Sequence, residues 1–119
     1  MSVVYAAGDA APSQPAAPTN GWTSGTSYPF SWTAPSSPGT VSGGGAATIS
    51  SYTLKIYKAD NSSGGQPTTP YTSPWATITG ITGTSYTWTA PDTKYYAGTI
   101  TAINSAGLSS TESTKSAYK

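Results

Sequence analysis

A chain of 119 residues is the length of one domain with one core, and its four Trp and nine Tyr can build that core although hydrophobic residues make up only 35%. Charged residues are 8% of the chain, the net charge is +1 and every basic residue is a Lys, so the clustered cations that nucleic-acid binding needs are missing. With no Cys there is neither a disulfide nor a thiolate metal site, and no apolar run approaches the roughly 20 residues of a membrane-spanning helix.

The first residues lack the charged and apolar regions of a secretory leader. From Ala6 to Pro18 the chain is rich in Ala and Pro, and Pro12, Pro15 and Pro18 recur every third residue. That spacing predicts an extended, polyproline-like arm over residues 1–19, either a lead-in to the first strand or a segment that grips a partner. The body is expected over residues 20–119. Tyr28, Phe30 and Trp32 alternate on one face of a strand that Pro35 stops, and a loop with three consecutive glycines, Gly43 to Gly45, follows. Tyr52, Leu54 and Ile56 alternate with Thr53, Lys55 and Tyr57 in the clearest strand, Ser51 to Lys58, on which Lys55 and Lys58 are expected to solvate one face.

Asp60 to Gln66 is dense in turn residues, and the prolines at 67, 70 and 74 around Tyr71 and Trp75 allow only a short edge strand. Two further strands are predicted over Ala76–Ile81 and Ser85–Thr89, then one over Tyr96–Asn104, a turn at Ser105-Ala106-Gly107, and a last strand over Leu108–Tyr118. Trp32-Thr33-Ala34-Pro35 recurs as Trp88-Thr89-Ala90-Pro91; two copies cannot stack into a repeat array, so the echo marks two strands that end alike. Strands this short at this spacing predict an all-β, antiparallel, seven-stranded Greek-key sandwich.

Trp32 before a Pro-led loop, the alternation of Tyr52, Leu54 and Ile56, and Tyr96, Ile100, Ala102 and Asn104 before Ser105-Ala106-Gly107 together resemble the fibronectin type III family. The long glycine-rich loop leaves a related immunoglobulin-like topology open. The resemblance implies a core built on Trp32, Tyr52, Leu54, Ile56, Tyr96, Ile100 and Ala102. It also implies that Tyr96 is the corner tyrosine whose hydroxyl bonds to upstream backbone. Gly98 departs from the family pattern, standing where a core side chain is usual.

Catalytic chemistry is thinly provided. There is no His or Cys, and the four acids, Asp9, Asp60, Asp92 and Glu112, have no paired spacing and are expected to be solvated. No enzyme activity, cofactor or metal is expected. The surplus aromatics Trp22, Tyr71 and Trp75, with Tyr57, Tyr95 and Tyr118, are candidates for exposed contacts to a protein or a sugar ring. Together with Pro12, Pro15 and Pro18 in the arm, Trp22, Tyr71 and Trp75 form the expected partner-binding set. The neutral, Thr-rich chain is similar to the fibronectin-like decoration and tail modules of bacteriophage virions, which implies docking on a capsid or tail lattice. The alternative is an accessory module of a secreted polysaccharide-degrading enzyme or adhesin, able to bind carbohydrate.

Overall fold

The computed structural model describes residues 9–43, 45–59, 62–63, 66–67, 73–92 and 94–119. Eight strand segments run β1 (Thr19–Asn20), β2 (Ser27–Ser31), β3 (Ile49–Ala59), β4 (Ser62–Ser63), β5 (Gln66–Pro67), β6 (Ala76–Ile81), β7 (Ser85–Thr89) and β8 (Tyr95–Asn104). They form one sheet in the order β1-β2-β7 and a second in the order β6-β3-β8, with β4 and β5 as a separate two-stranded sheet. All these pairings are antiparallel.

The period-two pattern of the sequence is what packs the two sheets together. Tyr28, Phe30 and Trp32 from the first sheet meet Tyr52, Leu54, Ile56, Tyr96, Ile100 and Ala102 from the second, and all are buried. Gly98 lies on the inward face of β8, and a Cβ there would stand 2.9 Å from the Phe30 ring and 3.0 Å from Leu54 Cδ1. The missing side chain is the space that the Phe30 ring fills. The repeated Trp-Thr-Ala-Pro sequences fall on the neighbouring pair β2 and β7. They sit at opposite ends of it, where Trp32 N donates to Thr84 O and Ala90 N to Thr26 O.

Both chain ends lie on the body with a three-residue step. Pro12, Pro15 and Pro18 are buried while Ala11, Gln14, Ala16, Ala17 and Thr19 are exposed, a burial period of three that matches a polyproline helix laid on the body. Ala10 and Thr40 exchange backbone hydrogen bonds, and Ser13 N donates to Ser37 O. The predicted last strand, Leu108–Tyr118, is not a regular strand. It steps along β8 by three residues for every two: the N–H groups of Ser110, Ser113 and Ser116 donate to Ala102, Ile100 and Gly98 O. In return the three seryl Oγ atoms accept from Ala102, Ile100 and Gly98 N, each at 2.9 Å. A serine hydroxyl thus stands in for the carbonyl that a strand would offer, and all three serines are buried.

Two buried asparagines tie these end segments together. Asn104 donates through Nδ2 to Ala10 O (2.8 Å) and Pro38 O (3.1 Å), and its Oδ1 accepts from Ala106 N and Leu108 N. Gly39 passes so close to Ala10 and Asn104, with φ at +85°, that only glycine fits. At the other end of β8, Asn20 Nδ2 donates to Tyr96 O (2.9 Å) and Ala117 O (3.2 Å), while Oδ1 accepts from Trp22 N.

Two substitutions test this packing. Gly98→Ala forces the Phe30 ring to move and is expected to destabilise by about 1–3 kcal/mol, less in a Phe30→Leu background, measured as a double-mutant cycle in denaturant. Ser113→Ala leaves the buried Ile100 N–H without its acceptor and costs about 1–3 kcal/mol, with faster hydrogen exchange at Ile100, whereas Ser113→Thr retains most of the stability.

Candidate functional site

Aromatic and charged side chains converge at the turn between β7 and β8. Tyr28 on β2 packs edge-on to Tyr96 on β8, with ring centroids 5.3 Å apart, and Trp88 on β7 packs against both. Trp22, just after β1, stacks on Tyr28 at 5.8 Å with its indole N–H donating to Gly25 O. On the far side, the Lys58 ammonium lies 5.9 Å from the Tyr96 ring centroid and 4.1 Å from that of Trp75. Trp22 and Trp75 are thereby linked through Tyr28, Tyr96 and Lys58. Lys58 is on the inward face of β3 and only 7% exposed. Its expected role as a solvated strand-face cation is corrected: it sits over an indole and pairs with Asp92 Oδ2 at 3.1 Å.

Asp92 holds the corner. Its Oδ1 accepts from the Tyr96 hydroxyl at 2.6 Å and from Lys94 N at 3.0 Å. Those hydrogen bonds, led by the one from Tyr96 and helped by Lys58, pull its carboxyl down to about 2. The corner tyrosine therefore bonds to a side-chain carboxylate. It is the Tyr28 hydroxyl that bonds to backbone here, donating to Lys94 O at 2.9 Å.

A second cluster lies on the outer face of the β6-β3-β8 sheet. Glu112 Oε2 accepts from the hydroxyls of Tyr57 and Thr99, and Oε1 lies 3.7 Å from Lys55 Nζ. Burial, then the bond to Glu112, pushes the Tyr57 hydroxyl up to about 12. For Glu112 burial is the largest single influence and raises its pKa, but the donors Thr99 and Tyr57 and the charge of Lys55 together hold it below its ordinary value. Both Asp92 and Glu112 are thus partnered, against the expectation of solvated acids. Asp60 lies outside the described residues.

Of the expected contact residues, Trp75 is 43% exposed and Trp22 is half-buried. Tyr71 lies outside the described residues, and Pro12, Pro15 and Pro18 face the body, so their rings offer little surface to a partner. Tyr57 and Tyr118 are buried in a small outer-face cluster with Ala59 and Ala97, against which Tyr95 packs. Tyr86, 37% exposed, was hidden in the sequence because its alternation with Trp88 reads as core. An open cleft of about 500 Å³ lined by Gln14, Pro15, Thr33, Pro35, Ser36 and Thr114, among others, carries no ionisable side chain. Among the described residues no three of His, Cys, Asp and Glu come together as a metal site, and no helix is long and apolar enough to cross a membrane.

No family model matches this chain, and no curated protein sequence does. Among solved structures, titin module A71 from human cardiac muscle is similar over 92% of each chain, with a TM-score of 0.60 and 17% sequence identity. The likeness is one of fold: two antiparallel sheets packed as a fibronectin type III/immunoglobulin-like sandwich.

The corner makes a prediction about acid. Because the folded pKa of Asp92, about 2, lies below its ordinary value of 3.8, its contribution to stability is present above the ordinary value and is lost as pH falls through about 2. Tyr96→Phe keeps the ring and removes the donor. Its melting temperature is expected to lie below wild type at pH 6 and to approach it below pH 2, with the Asp92 titration, followed by NMR, moving upward.

Proposed function

We propose that this sandwich is a non-enzymatic docking module of a larger assembly, a virion surface component that sits on a repeated capsid or tail lattice and meets it through the rim around Trp75. The observation that carries the reading is the Trp75 indole, partly exposed yet held over the Lys58 ammonium, which is itself paired with Asp92. An aromatic side chain fixed before binding loses little freedom on contact, which is the property of interface anchors. The fold supports the non-enzymatic part, since sandwiches like it are used as structural and binding modules. The shifted groups support it as well. Acid–base catalysis works best with pKa values near the operating pH, and Asp92 and Tyr57 are pushed away from neutrality in opposite directions. A surface with few charges and many Thr residues suits close packing against neighbours in a lattice.

A second reading keeps the same rim and changes the partner. A partly exposed indole can stack on a sugar ring, which would suit an accessory module of a secreted polysaccharide-degrading enzyme or adhesin.

Co-sedimentation separates the two. Wild type and Trp75→Ala are mixed with phage particles from the source and, in parallel, with insoluble polysaccharide. Saturable binding to particles, weakened at least about tenfold by Trp75→Ala, is the expected result. Retention on polysaccharide alone puts the accessory reading in its place, and binding to neither overturns both.

A further inference from the structure

The two lateral sides of the sandwich are closed differently. On one side, residues 9–19 and 109–119 lie against the body with a three-residue period, bridged by Gln14 Nε2 donating to Glu112 O. Among the described residues the opposite side ends in two regular strands, β6 and β7, each terminal in its sheet.

For β7 the direction of every backbone group follows from its ladder. Trp32 N donates to Thr84 O and Ala90 N to Thr26 O, just beyond either end of the strand pair. Between them Tyr28 stands opposite Trp88, and Phe30 opposite Tyr86. Hydrogen-bonded and non-bonded pairs alternate in an antiparallel ladder. The bonded pairs are therefore Tyr28 with Trp88 and Phe30 with Tyr86. The non-bonded ones are Ser27 with Thr89, Pro29 with Thr87, and Ser31 with Ser85. Pro29, which has no N–H, falls in a non-bonded pair, as it must. It follows that the N–H and C=O groups of Ser85, Thr87 and Thr89 all point outward. Those three side chains are exposed. Strand edges are usually blunted by a charge, a proline or a bulge, and β7, Ser-Tyr-Thr-Trp-Thr, has none of these.

We propose that the edge of β7 is a self-association site that takes β7 of a second copy of this chain, antiparallel, about a two-fold axis through Thr87. This goes beyond the docking reading and uses a different surface from Trp75. The occupant is read from the self-complementarity of the strand. With Thr87 opposite its own copy, Ser85 falls opposite Thr89 of the partner copy, so that all the outward groups of both strands bond to one another. In the same register Tyr86 of each copy lies across from Trp88 of the other on the inward face, an aromatic pair of the kind that stabilises neighbouring strands. The exposed Tyr86 ring and the half-buried Trp88 ring gain a partner. No like charges meet, because the strand carries none. The result joins two three-stranded sheets into one of six, β1-β2-β7 continuing through the copy in reverse. A five-residue edge is a small contact beside the roughly 1,200–2,000 Å² of stable interfaces, so the dimer is expected to be reversible.

Sedimentation of the purified full chain from about 10 μM to about 1 mM tests this, with cysteine cross-linking to fix the register. Wild type should pass from monomer to dimer across the range, and Thr87→Pro should stay monomeric while keeping its melting temperature within a few degrees, since the N–H it removes has no partner among the described residues. The chain has no Cys of its own. Hydrogen-bonded strand partners have Cα atoms about 5.5 Å apart, within disulfide reach. Thr87→Cys should therefore oxidise to a dimer at least about tenfold faster than Ser85→Cys, whereas Ser85→Cys mixed with Thr89→Cys should cross-link efficiently. A chain that stays monomeric at 1 mM, a dimer indifferent to Thr87→Pro, or Ser85→Cys joining to itself as fast as Thr87→Cys would each overturn the proposal.

Discussion

A buried strand must pair every backbone donor and acceptor, and β8, fully buried from Tyr96 to Ile100, does so by different means on its two edges. Along one edge it forms a ladder with β3 in which ten of its residues are matched. Along the other the partner is a serine-stepped ribbon whose N–H and Oγ atoms replace the N–H and C=O of a strand. Asn104 and the Asp92–Tyr96 pair then fasten its two ends to the loops around them. The inward face of the same strand supplies Tyr96, Gly98, Ile100 and Ala102, so the core and the edges are organised by one element.

A chain this poor in charge uses what charge it has at junctions. Asp92, Lys58 and Glu112 are each held by two or more partners or by an aromatic face, and all three sit where separate segments must be joined. Hydrogen bonds to an ionised carboxylate are stronger than neutral ones. They also fix the protonation state, which is why Asp92 and Tyr57 are displaced from neutrality and serve as anchors. The same fixing holds the Trp75 indole in place at the surface, linking the economy of charge to the rim on which the functional reading rests.

The fold and its core were legible because both depend on local periodicity. Tyr28, Phe30 and Trp32 on one sheet, with Tyr52, Leu54 and Ile56 on the other, follow from strict alternation. Pro35, the glycine-rich loop and the turn residues after Asn104 bound their strands. The candidate site was legible only in part. Trp75 and Trp22 stood out as aromatics beyond the core pattern, but nothing local marks Lys58 as a partner of Asp92, since the two come together only when β3 packs beside β8. Tyr86 was hidden for the opposite reason: its alternation reads as core, and it is exposed because β7 is the last strand of its sheet.

By itself the sequence determined an all-β chain with an aromatic core, no thiolate or imidazole chemistry, and period-three spacing near its beginning. Tertiary structure decided which way those prolines faced, that Ser110, Ser113 and Ser116 would act as surrogate strand carbonyls, and which described strands came last in their sheets. The physical reason is that composition and periodicity are carried by neighbours in the chain. Burial, hydrogen-bond partnership and edge position depend on residues far apart in sequence, as Asn104 and Ala10 are, and exist only once the sheets have closed on one another.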